Sequence, residues 1–491
     1  METSFRFHGV ILVTTLRRLR IGLLLLPLYA TLLSGGTLDN STRQLARDIF
    51  KQLIEINTTD SVGSTSIAAN AMRQRLLDAG FHESDVVVLG PNERKGNMVV
   101  RYRGTDTNTK PILIICHLDV VEARREEWTT DPFQFVEKDG YFYGRGTQDV
   151  KSGDAVLMTN LIRLKKEGFQ PNRDIIVALT ADEEGGKSNG VDWLLKNHRD
   201  LVDGEYVLNP DAGGVLLENG KAEEFFVEAT EKLYADFELT ARNPGGHSSL
   251  PVPDNAIYHI AGALDHLQRF TFPFELNEVT RAYFKASAAR KGNTKAGDML
   301  AILRNPPDQG AILRLSADPV NNSTFRTTCV ATRLSGGHAN NALPQTAQAV
   351  VNCRILPGHS PEEVRQTLVK IFADPKVEVS YVDPLTDGRS ATAPDKKSFA
   401  PPPLRPELMK ALNRVVDTIW PGAPILPEME AGASDSIYTM AAGIPSYGVS
   451  GIAVDRDDIR AHGQDERLRV ESYYTGVEFY YDLLKALTST P

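Results

Sequence analysis

Two adjacent glutamates, Glu183 and Glu184, follow the hydrophobic run Ile175–Leu179 in the string Leu179-Thr180-Ala181-Asp182-Glu183-Glu184-Gly185-Gly186. Neighbouring carboxylates repel one another. Such a pair makes chemical sense when a cation holds one and the other is left free to move protons. The chain supplies the further groups a cation needs. His117-Leu118-Asp119 closes an earlier apolar run, and Asp149 ends Gly144-Arg145-Gly146-Thr147-Gln148-Asp149. Asp211 follows Tyr206-Val207-Leu208, and His462 sits in Ala461-His462-Gly463-Gln464-Asp465-Glu466-Arg467. Two histidines, two aspartates and one glutamate suffice for two divalent metal ions, with the second glutamate left over as base. Imidazole nitrogen and carboxylate oxygen are ligands that zinc accepts, and the chemistry such a set serves is metal-dependent hydrolysis. Taken singly, each motif is ordinary: His-x-Asp is a common surface pair, Asp-Glu-Glu a solvated loop and Gly-Arg-Gly a turn. Their joint occurrence carries the inference.

Spacing adds detail. Asp119 stands two residues after His117, on the same side of an extended chain, where its carboxylate can accept the free imidazole N–H and fix the tautomer. The same alternation turns Glu183 and Glu184 to opposite sides, so that adjacent residues hold different roles.

The elements that must position these residues read as an α/β fold. The segment from Ser41 to Leu77 has helical periodicity. Runs 85–89 and 97–102 read as strands, and Pro111–Cys116, Ile175–Leu179 and Tyr206–Leu208 as strands buried on both faces. Helices are predicted over Ser152–Lys166, ended by Gly168, and over Ser188–His198. Strands alternating with helices give a mostly parallel sheet flanked by helices. His117, Glu183, Glu184 and Asp211 then fall just past the carboxyl ends of its strands, where ligands of such sheets collect.

The rhythm changes near Lys232. Strands at 233–242, 323–333, 345–355 and 377–382 and helices at 254–270 and 360–372 give the order β-α-β-β-α-β of the ferredoxin-like split motif. Residues 271–322 interrupt it with an extra helical segment. After the Pro-rich Ala400–Pro403 come helix Pro406–Trp420, the run Ile444–Val449 and helix Val470–Leu487. The expected organisation is a leader or anchor at 1–36, a catalytic domain over 37–231 and 385–491, and an inserted lid and dimerisation domain at 232–384.

The chain has 491 residues, 41% hydrophobic and 24% charged, as in an ordinary globular protein, and its formal net charge of −9 argues against nucleic-acid binding. The cluster Arg17-Arg18-Leu19-Arg20, the thirteen-residue apolar stretch Ile21–Leu33 and Ser34-Gly35-Gly36 have the layout of a secretory signal. The protein is therefore expected to be exported, to a periplasm or the exterior, with membrane attachment only if that segment stays uncleaved. Of three cysteines, Cys116 reads as a core thiol, while Cys329 and Cys353 lie on expected neighbouring strands and either pair or remain free.

With these boxes in order, the chain resembles the co-catalytic zinc peptidase and deacylase family that includes carboxypeptidase G, aminoacylase, carnosinase, Gly-X carboxypeptidase and succinyl-diaminopimelate desuccinylase. The resemblance runs from about Ser41 to Leu487 and rests on six boxes: His117-Leu118-Asp119, Gly144 through Asp149 and Lys151, Asp182–Gly185, Asp211, Gly245-Gly246-His247-Ser248 and His462-Gly463. It implies that Asp149 bridges two metal ions, zinc with cobalt or manganese as substitutes. His117 and Asp211 complete one metal, Glu184 and His462 the other. Much of the family has Glu at the Asp211 position, while other members use Asp. The resemblance further implies that Asp119 supports His117, that Glu183 is the general base and acid, and that His247 reaches a partner subunit's site and stabilises the oxyanion in a homodimer. Arg354 in Asn352-Cys353-Arg354-Ile355 would take a substrate carboxylate, and Asn341 in Asn340-Asn341-Ala342-Leu343-Pro344 would contact substrate. A carboxypeptidase or dipeptidase, an N-acyl-amino-acid deacylase and a non-catalytic metal-binding homologue are the functions left to separate, and the retained Glu183 argues against the last.

Overall fold

Strands Ile112–His117 and Ile175–Thr180 bury all six of their residues, as parallel strands covered on both faces do. They pair in parallel from Ile112 opposite Ile175 to His117 opposite Thr180. Alternation divides their side chains between two cores. Ile112, Ile114, Ile175, Val177 and Leu179 join one; Leu113, Ile115, Ile176 and Ala178 join the other. Helices Asn40–Glu55, Lys151–Lys166, Pro406–Ile419 and Val470–Thr488 cover the first face, and Gly190–Asn197 packs on the second.

The computed structural model describes residues 38–489 apart from Gly186, Lys291, Leu385 and Lys397; the expected leader at 1–36 lies outside the described residues. Within them, ten strands form one sheet, ordered 86–89, 97–102, 175–180, 112–117, 206–209, 446–448, 221–231, 214–218 and 453–455, with 425–430 also pairing 221–231. The four neighbours 175–180, 112–117, 206–209 and 446–448 run parallel. Their carboxyl ends therefore share one edge, and the mostly parallel α/β architecture read from the sequence is the observed one. Among the described residues, no helix is long and apolar enough to cross a membrane.

A second, five-stranded antiparallel sheet is ordered 328–336, 346–355, 233–242, 377–382 and 389–390. Helices Ala256–Arg269 and Pro361–Phe372 join its strands in a separate core around Phe237, Ile260, Val351 and Leu368. Ser360 starts the second helix with a capping box: its Oγ accepts from the Glu363 N–H at 3.1 Å, and the Glu363 carboxylate accepts from the Ser360 N–H at 3.1 Å. Between first helix and second strand, helices Glu278–Ala288, Ala296–Ala301, Gln309–Ser316 and Pro319–Thr324 enclose a small core around Phe284, Ile302, Leu315 and Phe325.

Two elements differ from the sequence expectation. The 41–77 pattern is two helices, Asn40–Glu55 and Thr65–Asp78. Asn57 breaks it, its side chain accepting from the N–H of Thr59 at 2.9 Å and its hydroxyl at 2.8 Å, local bonds that compete with the helical ladder. The strand expected from Ser323 begins at Thr328, because Asp318 caps a helix over Pro319–Thr324 through the N–H groups of Val320 and Asn321.

Cys329 and Cys353 sit directly opposite on neighbouring strands and are disulfide-bonded, with Cα atoms 4.1 Å apart; Cys116 is a buried thiol. Denatured without reductant, the chain should therefore expose one reactive thiol, rising to three after reduction. Cys329→Ser should lower the unfolding free energy by roughly 3 kcal/mol, the loop-closure contribution of a bridge this far apart in sequence. Three reactive thiols before reduction would show the bond to be absent.

Candidate active site

The shared strand edge carries most of the site. His117 is the last residue of its strand and is buried. Its Nε2 lies 3.0 Å from Asp149 Oδ1 and 3.6 Å from Asp211 Oδ1. The other Asp149 oxygen, Oδ2, lies 3.0 Å from His462 Nε2, which is also 3.0 Å from Glu184 Oε2. One carboxylate thus stands between two imidazoles, and each imidazole has a second carboxylate beside it. The structure brings together all five residues whose spacing suggested metal ligation. Ligand atoms of His117, Asp149 and Glu184 all lie within 4.8 Å of one another. Imidazole nitrogens and carboxylate oxygens facing a common point are the donor set of a divalent cation such as zinc, so the residues present fit a pair of such ions sharing Asp149.

Asp119 acts differently from the expectation. His117 Nδ1 is 3.0 Å from the Asp119 backbone carbonyl but 3.7 Å from its carboxylate, so the carbonyl is the partner that orients the ring. The carboxylate instead accepts the backbone N–H groups of Glu183 and Glu184, at 3.1 and 3.0 Å. The two glutamates are not on an extended strand. Strand 175–180 ends at Thr180, and Asp182 adopts the left-handed region at φ 68°. This turn, braced by Lys95 on the Asp182 carboxylate and by the Ser188 N–H at 2.7 Å, sets the pair. Glu184 reaches His462, whereas the Glu183 carboxyl makes no hydrogen bond among the described residues.

Asp149 is presented by Gly144-Arg145-Gly146. Gly146 has φ 89°, and a Cβ there would lie 2.9 Å from Val120 Cγ1, so the turn requires glycine. Buried Glu466 grips this loop: its carboxylate accepts from Arg145 Nη1 at 2.7 Å and from the N–H groups of Gly146, Gln148 and Asp149 at 3.0, 2.6 and 3.1 Å. No motif in the sequence assigns Glu466 a role, although it stands four residues after His462. Asp435 was also missed. It is buried, and accepts from Asn189 Nδ2 at 2.6 Å and Thr180 Oγ1 at 3.2 Å. No periodic or motif signal distinguishes it.

Electrostatics follow from this crowding. Burial opposes charging His117, but Asp211 and Asp149 outweigh it and hold its pKa well above the ordinary imidazole value. Hydrogen bonds to Asp149 and Glu184 push His462 up to about 10. Burial would raise Asp149, yet its bonds to both histidines hold it well below the usual carboxylate range. Burial pushes Glu183 up to about 10, opposed by His117 and reinforced by Asp211, Asp435 and Glu184. Burial likewise brings Asp435 to about 7.

The remaining expected residues lie on the second sheet or beside it. His247 is exposed on the short strand Gly246–His247, paired with Ala342–Leu343, and its Nδ1 accepts from the Ser249 N–H at 3.1 Å. The Asn341 carbonyl accepts from the neighbouring Ser248 N–H at 3.1 Å, so His247 and Asn341 are close. Arg354, on strand 346–355, lies over the Tyr234 ring at 4.8 Å and has no carboxylate partner among the described residues. None of the three bonds to the metal-type cluster within one chain, among the described residues.

The chain is similar to known proteins over most of its length. Residues 113–486 match the model of Peptidase family M20/M25/M40. The chain is 29% identical over 396 residues to the N-fatty-acyl-amino acid synthase/hydrolase PM20D1 of Xenopus tropicalis, covering 78% of this chain and 74% of that protein. It is 27% identical over 467 residues to mouse Aminoacylase-1 (Mus musculus), covering 93% and 98%. An M20 family metallo-carboxypeptidase from Sulfolobus solfataricus shares the fold, with a TM-score of 0.65 at 16% identity over 92% of this chain and 99% of that one.

The raised histidine pKa values have a measurable consequence. The carboxylates around them favour the protonated form of both imidazoles in metal-stripped protein, and ligation requires them neutral. Zinc binding near neutral pH should therefore release protons from them, fewer as pH rises through about 10, where His462 loses its own proton. Titration calorimetry in buffers of different ionisation enthalpy measures this, and a buffer-independent heat would contradict it.

Proposed function

The chain belongs to Peptidase family M20/M25/M40 and is a metal-dependent amide hydrolase; within that chemistry, we propose that it cleaves an amide bond whose amine side carries a free carboxylate. N-acyl amino acids and small peptides with a C-terminal carboxylate are the two forms of that substrate. The observation that carries the mechanism is the unequal fate of the adjacent glutamates: Glu184 is tied to His462, and the half-buried Glu183 carboxyl has no hydrogen bond among the described residues.

His117, Asp149 and Asp211 would hold one divalent ion, and His462, Asp149 and Glu184 the other, with zinc the ion whose ligand preferences fit best. Such ions supply an acidified water and polarise the scissile carbonyl. With dication charge nearby, the Glu183 carboxyl ionises more readily, accepts a proton from the attacking water and delivers it to the leaving amine. Asp119 holds both glutamate N–H groups and so fixes the base. Arg354, without an acidic partner and stacked on Tyr234, suits bidentate capture of the substrate carboxylate, and Asn341 would contact the substrate beside His247.

His247 is read as an oxyanion donor to a partner subunit's site. Its exposure supports this, as does the edge strand 328–336, where Val330 and Leu334 are 59% and 69% exposed, a surface suited to a second copy of the chain. Export is supported by the Cys329–Cys353 bond, which persists in oxidising compartments.

The substrate class can be tested with matched N-acyl amino acids and dipeptides, each free or amidated at the carboxylate. Amidation should lower kcat/KM about 10- to 100-fold in the unaltered protein, the contribution of a charged hydrogen-bonded anchor, and have little further effect in Arg354→Ala. Equal sensitivity in both proteins would remove Arg354 as the anchor, while the relative rates on the two substrate forms separate deacylase from carboxypeptidase.

Action in trans makes a second prediction. Glu183→Gln and His247→Ala homodimers should each lose roughly 100-fold or more in turnover. Mixed dimers rebuild one complete site, so activity should return to up to about half the normal value if sites act independently. A verified mixed dimer without recovery would rule out donation across the interface.

A further inference from the structure

The two halves of the candidate metal site rest on different supports. His117 ends a buried strand. His462 lies on an irregular loop, with its side chain 54% exposed and its backbone in the left-handed region at φ 62°. A half-exposed histidine on a loop needs something else to hold its ring against Asp149, 313 residues earlier in the chain.

The Gln148 side chain supplies it. Its Nε2 donates to the carbonyls of Asp458 and Arg467, at 3.0 and 2.8 Å. Its Oε1 accepts from the N–H groups of Arg460 and Ala461, at 2.7 and 3.0 Å. Every hydrogen-bonding position of the amide is used, and all four partners are backbone groups flanking His462. Glu466 reciprocates from the far side, its carboxylate receiving the N–H groups of Gln148 and Asp149. The loop bearing Asp149 and the loop bearing His462 are thus clasped, each by a side chain of the other. Of these side chains, Gln148 acts on the backbone on both sides of the histidine. Only a primary amide can do this: a carboxylate lacks the two donors, and an apolar chain lacks all four contacts. Further ties, Arg460 and Arg467 to Asp458 and Thr129 to Asp465, keep the loop folded within itself and against 129; from the segment that carries Asp149, Arg145 Nη2 adds a bond to the His462 carbonyl at 3.4 Å and the Gly144 N–H one to the Glu466 carbonyl at 3.1 Å, each a single contact beside the four of Gln148.

We propose that Gln148 is a positioning residue that sets the metal affinity of the His462–Glu184 half of the site and leaves the His117–Asp211 half largely unaffected. This rests on the assignment of His462 as a ligand, and the experiment keeps the two apart. Metal-stripped unaltered protein, Gln148→Met, Gln148→Glu and His462→Ala are titrated with Co2+, and bound ions are counted after equilibrium dialysis and followed by visible absorption. The unaltered protein should take up two ions tightly. Gln148→Met should keep one tight ion and bind the second about 10- to 100-fold more weakly, the usual effect of removing a group that orients a ligand. Its activity should return as free metal is raised, which damage to folding alone would not allow. If Gln148→Met does not yield folded protein, Gln148→Glu, which keeps the shape and the acceptor side of the clasp but loses both donors to Asp458 and Arg467, should show the same selective loss. Two tight ions in Gln148→Met, or equal weakening of both, would overturn the proposal. Two tight ions in His462→Ala would instead overturn the ligand assignment beneath it.

Discussion

Negative charge gathered where water is scarce is the constraint on which this molecule depends. Asp119, Asp149, Glu183, Glu184, Asp211 and Asp435 surround two imidazoles at one sheet edge, and burial raises the carboxyl pKa of Asp119, Glu183, Glu184 and Asp435. A buried carboxylate is tolerable only with hydrogen bonds or countercharge. The fold discharges these groups in different ways. Asp119 takes two backbone N–H groups, Asp435 takes Asn189 and Thr180, and Asp149 takes both histidines. What is left over, chiefly the Glu183 carboxyl, has no internal partner among the described residues. A surplus of negative charge facing two nitrogen donors favours dications, and the one carboxyl left without a fixed bond is the one free to move a proton.

The parts of this arrangement that the sequence disclosed are those fixed by the parallel sheet. A short run such as Pro111–Cys116 reads as a strand buried on both faces, and in a parallel sheet its end lies beside the ends of Ile175–Leu179 and Tyr206–Leu208. His117, Glu183, Glu184 and Asp211 therefore fall together by topology. Supporting contacts were hidden because backbone groups make them. The partner of His117 Nδ1 is the Asp119 carbonyl, and Asp119's carboxylate serves the N–H groups of Glu183 and Glu184; residue identity gives no hint of either. Asp435 reaches the site from beyond strand 425–430, through a loop whose course no periodicity describes. The break in the first helical pattern turned on one asparagine side chain bonding locally, a competition that hydrophobic spacing does not register.

The second sheet was legible for a complementary reason. Its strands 233–242 and 346–355 alternate, with Ala235, Phe237, Leu239 and Ala241 facing one core and polar residues between them, so a two-residue period separates them from the continuous apolar strands of the first sheet. The same alternation places Cys353 among the buried positions opposite Cys329 and turns Arg354, the next residue, to the other face. The cysteine that bonds the edge strand to its neighbour and the arginine suited to carboxylate capture are thus products of one register, and a one-residue slip would exchange them.

Buried Lys232 joins the chain of the first sheet to that of the second, with strands Lys221–Glu231 and Leu233–Arg242 on either side. Its ammonium donates to the Arg326 carbonyl at 2.8 Å, and burial together with Arg354 lowers its pKa to about 8. A weakly held proton at a buried junction is costly unless the surroundings are fixed, and here a helical segment supplies them. Phe325 anchors that segment's core, and the next residue, Arg326, offers the carbonyl. The extra helices therefore do more than lengthen the chain between the strands of the second sheet: the segment they end on supplies a carbonyl to a buried cation where the chain passes between sheets. The same logic governs the metal-type cluster, where charges brought together from distant segments persist because backbone groups from a third segment hold them.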